Sequence, residues 1–255
     1  MRLIKVPRIN GLGNSGSEKA PNLILKELDR LGRPLNLEVE EFHVDNSNVA
    51  ESEKLIYENA LEEFELKGGG VFVGGDHSIS FPIVKAFMNS GAGEKFLIVF
   101  DAHADCMKPM KEPTHEEWLR GVVEAGFSGE NIVLIGCRKM ENVEREFLRS
   151  AGVRFFSGEE EMEFIADYVT EKAMGKEVYV SIDIDAVDPA FVPGVNYPEP
   201  AGLTSKEFFY LLKRIFHLPK IRGLDLVEVV PEKDRDGVSV KTAGRVLFEF
   251  FKSSN

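Results

Sequence analysis

The chain has 255 residues, 43% hydrophobic and 29% charged, an ordinary globular composition long enough for one large domain or two small ones. A formal net charge of −12 argues against a general nucleic-acid binder, which carries a basic patch, and no apolar run reaches the roughly 20 residues of a membrane span. Two cysteines, Cys106 and Cys137, make no disulfide framework, and the opening Met1-Arg-Leu-Ile-Lys-Val-Pro7 is too short an apolar stretch for a secretory signal, so a reducing cytoplasm is expected. In chain order, apolar runs predict strands at 3–6, 37–44, 71–73, 96–100, 132–135, 153–156, 178–184 and 221–229. Helical spacing predicts helices between and after them, at 18–31, 52–66, 79–88, 116–125, 143–151, 160–174, 206–216 and 238–251. Without a repeat or linker, this alternation predicts a single α/β domain over residues 1–255, a three-layer αβα fold with a mostly parallel sheet of about eight strands. A closed barrel fits the same alternation.

In open parallel sheets, chemistry gathers beyond the carboxyl ends of the strands. The polar residues fall there: Val71-Phe-Val73 runs into Gly74-Gly-Asp-His-Ser78, and the run at 96–100 into Asp101-Ala-His-Ala-Asp105. The run at 178–184 ends with Asp183 and Asp185 on one side of an extended chain, a pair that repels unless a cation or proton lies between them. Asp101, His103 and Asp105 likewise share a face if the chain stays extended. A single Asp at a strand end usually caps the next helix, and a lone His is usually structural. The set taken together points instead to a metal site made by His77, Asp101, His103, Asp105, Asp183 and Asp185. Its four carboxylates call for two divalent ions, and oxygen and imidazole donors without thiolate suit Mn²⁺. Two ions about 3.5–4 Å apart acidify a shared water.

The segments 74–78, 101–105 and Ser181-Ile-Asp-Ile-Asp-Ala-Val-Asp-Pro-Ala-Phe-Val-Pro-Gly194 together resemble the three signatures of the ureohydrolases, which include arginases, agmatinases and formimidoylglutamases. The resemblance implies an eight-stranded αβα fold, two Mn²⁺ per subunit and a homotrimer or homohexamer. It implies Asp101 and Asp183 as bridging ligands, His77 and Asp105 completing one site, and His103 and Asp185 the other. His115 resembles the family's proton-shuttle histidine, although Glu116 follows where Gly is frequent. Glu228 resembles the carboxylate that holds the substrate's guanidinium, a planar cation suited to bidentate pairing. Asp105 or a neighbouring ligand is expected to accept a hydrogen bond from the attacking water.

The segment after Asp105 and the Lys139-Met-Glu141 stretch depart from the arginase-like pattern, which disfavours arginase itself. An agmatinase-like release of urea from a guanidino compound ranks first. Lys108, Lys111 and Arg138, if they face the pocket, would instead suit a carboxylate-ended substrate, as in a formimidoylglutamase or a guanidino-acid hydrolase. A metal-dependent deacetylase and a non-catalytic binding protein are weaker alternatives, because all six ligands are present. Gly11-Leu-Gly-Asn-Ser-Gly16 has dinucleotide-binding spacing, but Pro7 and Arg8 interrupt the preceding strand.

Overall fold

A computed structural model describes residues 1–10, 12, 14–34 and 36–253. Eight strands form one sheet: β1 (Arg2–Val6), β2 (Val39–Glu41), β3 (Gly70–Gly74), β4 (Lys95–Phe100), β5 (Ile132–Ile135), β6 (Arg154–Phe156), β7 (Glu177–Asp183) and β8 (Ile221–Val227). Their order is β2-β1-β3-β8-β7-β4-β5-β6 and every pairing is parallel. Two free edges, β2 and β6, rule out the closed barrel. The helices are α1 (Ala20–Leu31), α2 (Val49–Leu66), α3 (Ser80–Asn89), α4 (Trp118–Glu124), α5 (Asn142–Ala151), α6 (Met162–Ala173), α7 (Ser205–Ile215) and α8 (Val238–Ser253). Among the described residues, no helix is long and apolar enough to cross a membrane.

Alternation along the central strands divides the core into two layers. Phe96, Ile98 and Phe100 of β4 join the cluster that includes Ile24, Ile165, Phe208 and Leu247, whereas Leu97 and Val99 join the one that includes Phe64, Ile83, Leu119 and Leu148. Helices therefore cover both faces, which is why β3 and β4 are buried at every position and read as unbroken apolar runs. Each fully buried Leu or Phe side chain contributes about 1.5–3 kcal/mol. Helix ends follow local chemistry: Thr204 and Glu207 form a capping box on α7, and Gly32 ends α1 in the left-handed region at φ 106°.

Two strands are shorter than the sequence predicts by two residues or more. The expected 37–44 segment pairs only over Val39–Glu41, because β2 is an edge strand rich in Glu with one neighbour. The expected 221–229 strand stops at Val227 because Glu228 turns to φ 64°. Register sets the carboxyl ends level: Val6 is beside Gly74, Asp183 beside Val227, and Phe100 beside both Ile182 and Ile135. Every loop that leaves the central strands thus opens at one rim.

Candidate metal centre

After β3, Gly75 passes so close to β1's continuation that a Cβ there would lie 1.9 Å from the Arg8 carbonyl oxygen. That approach lets Gly75 N donate to Val6 O at 3.1 Å and Asp76 N donate to Arg8 O at 3.0 Å. Asp76 is spent on the turn: its Oδ1 accepts from Ser78 N at 3.2 Å and its Oδ2 from Asn10 N at 2.7 Å. His77, next in the chain, is buried and aims inward. The segment after β4 does not stay extended. Asp105 adopts φ 49°, a left-handed conformation unusual for a residue other than glycine, so it reaches the centre through a turn and not by strand alternation. After β7 the carboxylates brace their own loops: Asp183 Oδ1 accepts from Asp185 N at 2.8 Å, and Asp185 Oδ1 accepts from Ala102 N at 3.0 Å.

The free atoms converge. His77 Nδ1 lies 3.0 Å from Asp101 Oδ2, 3.2 Å from Asp105 Oδ2 and 3.4 Å from Asp183 Oδ2. His103 Nδ1 lies 3.0 Å from Asp185 Oδ2 and 3.5 Å from Asp101 Oδ1. Two donor sets result, His77 with Asp101 and Asp183, and Asp101 with His103 and Asp185, each having its ligand atoms within 4.8 Å of one another. Asp101 belongs to both. His77 Nδ1 and Asp101 Oδ2 are buried without hydrogen-bond partners, which is costly unless a ligand completes them. Hard oxygen and imidazole donors, closely grouped and orphaned, fit a pair of divalent cations.

Electrostatics carry the same message. Burial opposes charge on both imidazoles, yet Asp101, Asp105 and Asp183 hold His77 well above its usual pKa, and Asp101 and Asp185 push His103 up to about 12. Burial and then Asp101 raise Asp105 to about 8, and burial with Asp185 raises Asp183 well above the carboxylate range. Burial also opposes charge on Asp101, but contacts with His103 and His77 outweigh it and hold this carboxyl low. Protons thus compete with cations for these donors.

A supporting layer escapes sequence reasoning. Ser181 Oγ sits 2.9 Å from His77 Nε2 and donates to Asp225 Oδ1 at 2.7 Å; Tyr179 and Ser80 hydroxyls donate to Asp225 Oδ2 at 2.8 and 2.9 Å. This network orients the His77 ring so that Nδ1 faces the carboxylates. Ser181 precedes Asp183 by two in β7, and Asp225 breaks an apolar run, so both left a faint signal. Trp118 Nε1 donates to Asp105 Oδ2 at 2.9 Å, and the Trp118 ring lies 4.5 Å from that of His77.

Above the cage is a cavity of about 330 Å³, lined by His77, His103, Asp105, Asp183, Asp185, His115 and Glu228. His115 is buried, stacks on Tyr197 at 5.5 Å and 21°, and has neither ring nitrogen hydrogen-bonded; burial lowers its pKa. Glu228 is buried and accepts from His77 N at 2.8 Å. The lining also includes exposed Glu116, Glu141, Met107 and Lys139 and half-buried Glu199 and Met140, whereas Glu144 is buried and accepts from Cys106 N and Glu141 N; Lys139 is the one Lys or Arg in the lining among the described residues.

The three cations expected to reach the pocket do not line it. Lys108 is exposed, and Lys111, with 87% of its side chain exposed, pairs with Glu112. Arg138 is turned into the backbone, where its guanidinium donates to the carbonyls of Asp185, Glu199, Gly136, Pro200 and Ala186 at 2.7–3.3 Å. A guanidinium donates and never accepts, so it suits a ring of loop carbonyls, and Arg138 braces the rim. Of the dinucleotide-like segment, Gly11 and Gly13 lie outside the described residues, whereas Asn14 reaches Glu228.

An open parallel sheet with an acidic, imidazole-containing cage beyond its strand ends defines a candidate metal site. The chain belongs to the arginase family, whose sequence pattern matches residues 2–252. It is 34% identical over 185 residues to an N(1)-aminopropylagmatine ureohydrolase of Thermus thermophilus, covering 71% of this chain and 61% of that protein. It is 32% identical over 213 residues to the formimidoylglutamase of Halobacterium salinarum, covering 80% of this chain and 69% of that one. The chain thus spans about three fifths of the length of the first of these relatives. A formimidoylglutamase structure from Bacillus subtilis superimposes with TM-score 0.86 at 22% identity, over 99% of this chain and 86% of that one, a likeness of fold.

Proposed function

We propose that this chain is a binuclear manganese amidinohydrolase that cleaves a guanidino C–N bond and releases urea, with a substrate whose tail carries positive charge, as agmatine does. The convergence of His77, Asp101, Asp105 and Asp183 on one point, with His103 and Asp185 beside it, carries the reading. His77, Asp105, Asp101 and Asp183 would hold one ion, and His103, Asp185 and the two shared aspartates the other. Bound metal supplies a water acidified to a nucleophile at neutral pH.

The remaining steps fall to the chain's own groups. Glu228 receives the planar cation at the cavity floor and orients its central carbon toward the cage. Asp105, fixed by Trp118 Nε1, accepts a hydrogen bond from the attacking water. His115 has both nitrogens free, and its stacking on Tyr197 leaves it able to pass a proton to the leaving amine. A mouth lined by Glu116, Glu141 and Glu199 suits an ammonium tail, and the relative named for N(1)-aminopropylagmatine supports the same choice. A formimidoylglutamase or guanidino-acid hydrolase is the second reading, favoured by Lys139 in the lining and by the formimidoylglutamase relative. A cytoplasmic homotrimer or homohexamer belongs to the same proposal.

Urea release from agmatine should require added Mn²⁺ and disappear on chelation. Changing His115→Ala should lower kcat roughly 10²–10⁴-fold, the range for loss of a general acid, with manganese content unchanged. Turnover indifferent to chelation, or a His115→Ala enzyme with full kcat, would contradict the reading.

A further inference from the structure

The glycine-rich segment near the start of the chain has a use that the metal cage does not explain. Asn14 is 2% exposed, and its Nδ2 donates to Glu228 Oε1 at 3.0 Å and Oε2 at 3.2 Å. Its Oδ1 accepts from Asn196 Nδ2, which also donates to Ser15 O at 3.3 Å. Asn196 Oδ1 in turn accepts from Lys233 Nζ at 2.6 Å. The chain of contacts has a fixed direction. Lysine only donates, so Asn196 and then Asn14 can each take one amide orientation alone. Gly16 seats the segment at φ 97°, where a Cβ would lie 2.9 Å from Val230 Cγ1, two residues beyond Glu228.

Glu228 itself sits at φ 64°, a costly conformation for a bulky residue that surrounding contacts must enforce. His77 N holds Oε1 only. Asn14 is the contact that reaches both oxygens, and it comes from 214 residues away in sequence. We propose that Asn14 is a positioning residue for Glu228: fixed by Asn196 and Lys233, its amide holds the carboxylate in the orientation that receives a guanidinium or amidinium cation. This rests on the role given to Glu228 above. Asn14, seated next to Ser15 and Gly16, then delivers one amide to Glu228, and the dinucleotide-like spacing of the sequence is incidental.

The manganese-loaded full chain tests it with agmatine for turnover and guanidinium chloride for binding by calorimetry. A hydrogen bond to a charged group sets the scale: Asn14→Ala should raise the agmatine KM and weaken guanidinium binding roughly 10- to 100-fold while kcat changes little. Asn14→Asp, which keeps the side-chain shape but cannot donate, should be worse. Asn196→Ala should act in the same direction more weakly, which keeps the idea testable if Asn14→Ala does not fold. In a Glu228→Gln background, Asn14→Ala should add no further loss of guanidinium binding. Wild-type KM and binding in both Asn14 variants, or an undiminished effect in the Glu228→Gln background, overturns the proposal. Turnover with an Asn14-independent KM sinks this inference alone; Asn14-dependent guanidinium binding without any turnover sinks the hydrolase reading alone.

Discussion

Changing Asp101→Ala is expected to abolish stable metal loading and lower urea release at least ~1,000-fold, the scale of losing several kcal/mol of metal-derived transition-state stabilisation. Asp101 is the carboxylate common to both donor sets, with Oδ2 toward His77 and Oδ1 toward His103. Its backbone is pinned independently, because Asp101 N donates to Ile135 O at 3.0 Å, so the fold should survive the change. A ligand that binds only the native state stabilises it by about 2.7 kcal/mol at 100 times its Kd. Manganese should therefore raise the wild-type melting temperature and leave that of Asp101→Ala unmoved. A variant that still binds two ions, or that melts later on manganese addition, contradicts the assignment.

Asp105→Asn should separate stability from activity. Burial and Asp101 raise the Asp105 pKa from 3.8 to about 8 in the bare cage. A carboxyl whose folded pKa is raised lends stability that is fully present below its unfolded pKa and is lost as pH climbs through the folded value. Metal-free wild type should accordingly lose stability between about pH 4 and pH 8 relative to the variant. Asparagine tolerates the left-handed backbone at φ 49°, and its Oδ1 can still accept from Trp118 Nε1. Denaturant unfolding of both metal-free proteins across that range should show Asp105→Asn ahead by a few kcal/mol at about pH 8, and level with wild type near about pH 4. Its urea release should nonetheless fall by orders of magnitude. Equal pH dependence of the two proteins would show that Asp105 bears no such strain.

The fold was readable because a parallel sheet covered on both faces must write its strands as nearly unbroken apolar runs, as in the Lys95–Phe100 and Gly70–Gly74 strands. Polar residues at the ends of such runs stand out, and six of them meet in the cage. What sequence could not supply were partners far apart along the chain. Arg138 reads as a free cation beside a motif, yet its acceptors at Asp185, Ala186, Glu199 and Pro200 lie 47–62 residues away. Ser181, Asp225 and Asn14 left at most a faint signal for the same reason, since each matters only through a residue on another strand or loop. Glu228 is legible only through motif likeness, whereas Asp105 is expected from strand alternation and reaches the centre by another route, because each of the two turns through positive φ. Lys108 and Lys111 show the opposite error, in which nearness to a motif was read as nearness to a cavity.

The central claim is that a two-cation cage beneath an acidic mouth acts on a guanidino group with a cationic tail. Its most direct measurement compares kcat/KM of the manganese-loaded protein for agmatine, 4-guanidinobutyrate and formimidoylglutamate, with urea and formamide read separately. These tails differ mainly in charge, and one well-placed charge contact worth about 1.4 kcal/mol is a tenfold preference. The account predicts urea, with agmatine favoured at least about tenfold over 4-guanidinobutyrate. Formamide as the main product, or a preference for the carboxylate-ended tail, would contradict it.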